Sequence, residues 1–182
     1  MLLCSFRTAY EDHDLVAVDK PWDAQLQHDA TGPRWAGEQD LKHYLSERHP
    51  ETLTPDASMR LCHQLDFATS GVIVAAKSHE AAAAVGRCFR ERDARKLYAA
   101  LVFGHPSFET TRWDDRIVTS KRRFRQKVGD GKGSKACTTD VTVGARGMLQ
   151  LPGEHEGRPA ALLWLEPRTG RRHRTAAPMH RV

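Results

Sequence analysis

RLCHQLDFATSGVIVAAK, residues Arg60–Lys77, is the stretch whose reading decides the fold. Its second half, Val72-Ile73-Val74-Ala75-Ala76, is apolar and rich in β-branched residues, as a buried strand should be. Its first half, His63–Gly71, is the densest polar cluster beside any strand of the chain. Asp66 therefore falls on a loop at a strand edge, where an acid can face a ligand. Thr69, Ser70 and Gly71 add hydroxyls and a permissive backbone for a tight turn that would fix it. An ordinary turn closed by an Asx-type hydrogen bond would use the same residues, so residue types alone leave both readings open. A hydrolase triad of His63, Asp66 and Ser70 is disfavoured. Such residues converge from distant parts of a fold, and no G-x-S-x-G elbow is present. His28, His43, His49 and His63 lack metal-ligand spacing, so no metal is expected.

Working outward, Asp14–Asp19 reads as a short strand stopped by Lys20-Pro21, and Gln25–Gly37 as loop. Gln39–His49 reads as a helix with Leu41 and Leu45 on one face, and Met59–Cys62 as a strand entering the polar loop. Ser78 is the N-cap of a helix over His79–Asp93, with Arg87, Arg90 and Arg92 crowding its later turns. Leu97–Phe103, Thr138–Val143 and Ala160–Leu165 are further strands. Strands and helices mix without a steady βαβ beat, which favours α+β over a doubly wound sheet. With no internal repeat, the 182 residues read as a single domain.

A net charge of +5, 28% charged residues and a mean hydropathy of −0.59 exclude a membrane protein and a collagen-like fibre. Cys4, Cys62, Cys88 and Cys137 form no CxxC pair, which points to an intracellular, reducing home without separating cytoplasm, nucleus or mitochondrion. The charge is uneven. Residues 1–60 hold 6 Lys/Arg against 11 Asp/Glu, and residues 61–182 hold 22 against 12. Between Arg116 and Lys135, Lys121, Arg122, Arg123 and Arg125 fall among eight basic residues opposed only by Asp130. Such a run suits contact with a nucleic-acid backbone, since each neutralised phosphate releases counterions. Gly129, Gly131 and Gly133 suit a solvated loop equally well.

The Arg60–Lys77 segment resembles the H-R-L-D-x-x-T-S-G-hydrophobic-A-K signature of the RluA-type RNA pseudouridine synthases. Leu15–Pro21 is similar to that family's hydrophobic-K-P strand, Arg95–Gly104 to its K-x-Y-x-A-hydrophobic-V-x-G motif, and Leu165–His173 to the opening of its L-x-P-x-T-G-R-x-H motif. The likeness spans about residues 10–173, and Gln64 with Phe67 looks most like a small eukaryotic branch.

The resemblance implies the α+β pseudouridine synthase fold, a mixed, largely antiparallel sheet flanked by helices. It also implies an RNA pseudouridine synthase that isomerises uridines in structured RNA (tRNA, rRNA or mRNA) as a monomer, with no cofactor and no membrane. By the same likeness Asp66 is the catalytic acid and Tyr98 stacks on the target base. His63, Gln64, Thr69, Ser70, Arg171 and His173 contact the substrate, while Lys20 and Lys96 support structure or phosphates. Tyr98 also alternates along a strand and would serve as core there. Two departures stand out. Gln64 replaces the family's usual Arg, and after His173 the chain reads Arg-Thr-Ala-Ala-Pro-Met-His-Arg-Val182, placing Ala176 where the family's Asp-pairing Arg falls. The resemblance therefore implies a fold incomplete at its C-terminus, with residues 174–182 a divergent tail and a slowed reaction. The rival reading is a catalytically dead RNA-binding module that keeps the fold.

Overall fold

A computed structural model describes residues 6–27, 40–50, 53–54, 57–119, 126–130 and 133–169. The chain gathers into two compact units, Met1–Cys88 and Phe89–Val182.

The first unit is built on an antiparallel sheet of four strands: β1 (Arg7–Glu11), β2 (Leu15–Lys20), β5 (Arg60–Leu61) and β6 (Gly71–Ala76), in the order β1-β2-β6-β5. Two further short strands, β3 (Leu53–Thr54) and β4 (Ala57–Ser58), pair with each other as a separate two-stranded sheet among the described residues. β2 and β6 are the apolar runs read from the sequence, and they align Leu15 with Ala76 and Lys20 with Gly71. Helix α1 (Leu41–Arg48) starts at Asp40, whose carboxylate accepts the His43 N–H at 2.6 Å. That bond satisfies one of the donors a helix start leaves open. Leu41 and Leu45 bury one face as their spacing requires, and Tyr44 joins them with its ring centroid 5.3 Å from that of Phe6. These side chains close on Val16, Val18, Ile73 and Ala75 to form the core.

Helix α2 (His79–Glu91) leads from the first unit to the second. Ser78 caps it as expected, its Oγ accepting the Ala81 N–H at 3.1 Å. The second unit is a five-stranded antiparallel sheet in the order β7-β11-β10-β8-β9, formed by β7 (Tyr98–Phe103), β8 (Thr110–Thr119), β9 (Gln126–Val128), β10 (Lys135–Met148) and β11 (Pro159–Pro167). Trp113, Val141, Ala161, Leu163 and Leu165 form its core.

The α+β class holds, but every described strand pairing is antiparallel and the strands divide between separate sheets. The largest difference from the sequence reading lies at Arg116–Lys135. Arg116–Thr119 ends β8 and Gln126–Val128 is β9, joined as a hairpin by Ile117–Val128, Val118–Lys127 and Thr119–Gln126 pairs. Arg116 bridges to Asp130 at 3.1 Å. Lys121, Arg122, Arg123 and Arg125 lie outside the described residues. β10 and β11 also outrun their apolar centres in both directions, because the register from Thr139–Pro167 to Met148–Pro159 carries polar residues along.

Candidate active site

The period-two pleat of β2 buries Val16, Val18 and also Lys20. A buried ammonium is tolerable only if its donors are satisfied. Lys20 Nζ donates to the backbone oxygens of Pro21 at 2.9 Å, Phe67 at 2.9 Å and Thr69 at 2.8 Å. Two of those carbonyls belong to the turn that follows Asp66. The Thr69 N–H closes the same turn by donating to the Asp66 carbonyl at 3.0 Å.

On the other side of Asp66, Leu65 packs against the core, and Gly71 at φ 131 bends the chain into β6. Held at both ends, the loop turns Gln64, Asp66, Phe67 and Ser70 to solvent and leaves His63 and Thr69 half-buried. Burial pushes the Lys20 ammonium below the ordinary lysine pKa, and the carboxylates of Asp23 and Asp66 push it back up. The ammonium behind the turn and the Asp66 carboxylate thus feel each other's charge.

His63 does structural work that residue type alone did not reveal. Its Nε2 accepts the Val74 N–H at 3.0 Å, so the neutral ring carries its proton on Nδ1. The Cys62 N–H donates to the Val74 carbonyl at 2.8 Å, so this stretch runs on alongside β6 beyond the end of β5.

Tyr98 opens β7, and with Ala100 and Val102 it packs against the core of the second sheet. The packing role weighed for it is present in the fold; base stacking would use the rest of the ring. Lys96, two residues earlier, holds Nζ 4.2 Å from the Phe89 ring centroid, a cation–π distance.

A chain of ion pairs fixes the end of β11. Asp140 of β10 receives Arg112 Nε and Arg168 Nε, each at 2.6 Å. Arg112 foremost, then Arg168, holds its carboxyl below the usual carboxylate range. Glu166 receives Arg95 Nε at 3.0 Å and an Arg168 terminal nitrogen at 3.2 Å. Thr169 Oγ1 accepts the Thr138 N–H at 3.1 Å. The Leu165–His173 segment is thereby pinned at its start, while Arg171 and His173 lie outside the described residues. The sequence carries no signal for the Asp140 network, because its partners are 28 residues away on either side.

Among the described residues no helix is long and apolar enough to cross a membrane.

The RNA pseudouridylate synthase family model matches residues 14–175, and the chain belongs to that family. It is 32% identical over 166 residues to RNA pseudouridylate synthase domain-containing protein 1 of Bos taurus, covering 90% of this chain and 53% of that protein. It is 36% identical over 118 residues to the dual-specificity RNA pseudouridine synthase RluA of Escherichia coli K12, covering 64% of this chain and 49% of that one. Among solved structures, human RNA pseudouridylate synthase domain containing 1 superposes with a TM-score of 0.74 at 28% identity, over 95% of this chain and 63% of that one. The chain spans about half the length of the curated relatives it matches.

Proposed function

We propose that the chain isomerises uridine to pseudouridine in structured RNA, with Asp66 as nucleophile. The observation that carries this reading is the Lys20 clamp. An ammonium bonded to the Phe67 and Thr69 carbonyls holds the Asp66 turn rigidly while leaving the carboxylate at the surface. A pre-positioned, exposed carboxylate is what attack on a sugar carbon requires.

In this reading the Asp66 carboxylate forms a bond to C1′ of the ribose as the N1–C1′ bond breaks, and the departing uracil keeps the electron pair. The base turns over within the site. C5 then bonds to C1′, the carboxylate leaves, the C5 proton passes to solvent and N1 takes up a proton. Atoms and electrons balance without an oxidant, a reductant or a second substrate, so the chemistry calls for no cofactor. The uridine must leave its stack to bring C1′ to the carboxylate, and Tyr98 stacks on the extruded base. Gln64 and Ser70, exposed on the Asp66 loop, contact the nucleotide. Arg171 and His173 do so from the Leu165–His173 segment, and Lys121, Arg122, Arg123 and Arg125 meet phosphates. The enzyme acts as a monomer inside the cell.

The test is Asp66→Asn, which keeps shape and removes nucleophilicity. Tritium release from RNA carrying 5-tritiated uridine should vanish while RNA affinity stays within about twofold, since the step removed is covalent rather than a binding contact. Binding without turnover in the unmodified chain would favour the RNA-binding module instead.

A further inference from the structure

Between the end of α2 and the end of β11 lies an open pocket of about 280 Å³, lined by Phe89, Arg92, Arg95, Lys96, Glu166 and Arg168. Four cations share it with one carboxylate. Glu166 divides between Arg95 and Arg168, and Asp140 takes the Nε of Arg168, so the two carboxylates orient two guanidiniums. Arg92 makes no ion pair among the described residues. Its backbone is also unusual. Arg92 directly follows the last residue of α2 with φ 68, a left-handed position that ordinarily belongs to glycine or asparagine. Strain of this kind is a reason to look for a use. Complementing the helix dipole is not a sufficient one, because Arg90 in the last turn already does so without strain.

We propose that this pocket is a subsite for a backbone phosphate of the RNA substrate. Arg92 and Lys96 supply the charge, and Glu166 and Asp140 hold Arg95 and Arg168 as forks around the phosphate oxygens. Lys96 is two residues from Tyr98, so a phosphate held here would register the strand on the segment that carries the stacking tyrosine. The ligand's identity as RNA rests on the synthase reading; the pocket and its charge do not.

The experiment uses the full chain and a fluorescein-labelled RNA stem–loop with 5-tritiated uridines in its loop. The double variant R92G/K96A removes both cations while placing glycine where the backbone is left-handed. The slope of log affinity against log salt should become shallower by about 1, the value of one lost phosphate contact. R92G alone should melt at or above the temperature of the unmodified chain, because glycine relieves the strain. A shallower slope with folding intact supports the subsite. An unchanged slope overturns it, as does a slope change accompanied by a lower melting temperature in R92G, which would make the residue structural. Inorganic phosphate binding that R92G/K96A abolishes, with the RNA slope unmoved, would assign the pocket to a small anion and overturn it too. Tritium release on the same RNA reports separately on the synthase reading. Turnover with an unchanged slope refutes the pocket alone, and a shallower slope without turnover refutes the synthase alone.

Discussion

The turn that carries Asp66 depends on two neighbours, Lys20 and Gly71. Lys20 ties down the carbonyls of Phe67 and Thr69, and no other side chain offers three N–H donors on so slim a stem. Replacing it with Met removes a buried charge but strands carbonyls that cost about 1–3 kcal/mol each when unsatisfied. Lys20→Met should therefore lower unfolding free energy by about 2 kcal/mol and cut turnover well beyond any change in RNA affinity. Denaturant melts and tritium release measure the two effects; a variant with full turnover would show that the clamp does not position Asp66. Gly71 is the second neighbour. A Cβ there would sit 3.7 Å from Leu65 Cδ1, so space is adequate, but φ 131 is a conformation that L-residues rarely adopt. Gly71→Ala should cost about 1–3 kcal/mol through backbone strain alone, read from the same melts. The role of Lys20 was partly legible. It lies in phase with Val16 and Val18, and period-two alternation puts it on the buried face. What the sequence could not supply was the destination of its ammonium, because Phe67 and Thr69 are 47 and 49 residues away.

At the scale of elements, the strands legible in the sequence were those centred on apolar or β-branched runs, β2, β5, β6 and β7 and the centres of β10 and β11. β8 was not, because Asp114, Asp115 and Arg116 break its pattern, yet Trp113, Asp115 and Ile117 alternate inward along it. β9 was hidden because its three residues, Gln126–Val128, sit inside the basic run with no apolar alternation of their own. The three longest partners of the second sheet, β8, β10 and β11, are also joined through Asp140. Its folded pKa is depressed, so its stabilisation is present above the unfolded carboxylate value, about 3.9, and is lost as pH falls through the folded value. Asp140→Asn should cost about 1 kcal/mol at neutral pH, as partly exposed ion pairs do. It should also flatten the loss of stability below pH 4, which thermal melts across pH 2–6 would record. Gly144, at the bulge where β10 and β11 shift register between Val143 and Ala145, has a different constraint. A Cβ there would approach Trp164 Nε1 to 2.6 Å. Gly144→Ala should displace the indole and destabilise the sheet by about 1–3 kcal/mol, visible as a changed tryptophan emission.

Over the whole molecule, four separated motifs carry the family likeness, and the fold brings them together in two pairs. Leu15–Pro21 and Arg60–Lys77 combine into one clamped loop within the first unit. Arg95–Gly104 contains β7 and the Leu165–His173 motif opens on the end of β11, and the two strands are neighbours in the second sheet with Tyr98 paired to Leu165. Such long-range pairing is invisible to local pattern, which is why the motifs were legible as a set before their partnership was. The proposed nucleophile is Asp66, and tritium release from RNA carrying 5-tritiated uridine, with the protein in excess, compares the unmodified chain and Asp66→Asn side by side. The unmodified chain should release tritium and the Asn variant none, with RNA affinity of the two within about twofold. Release by the Asn variant, or none by either, would contradict that proposal.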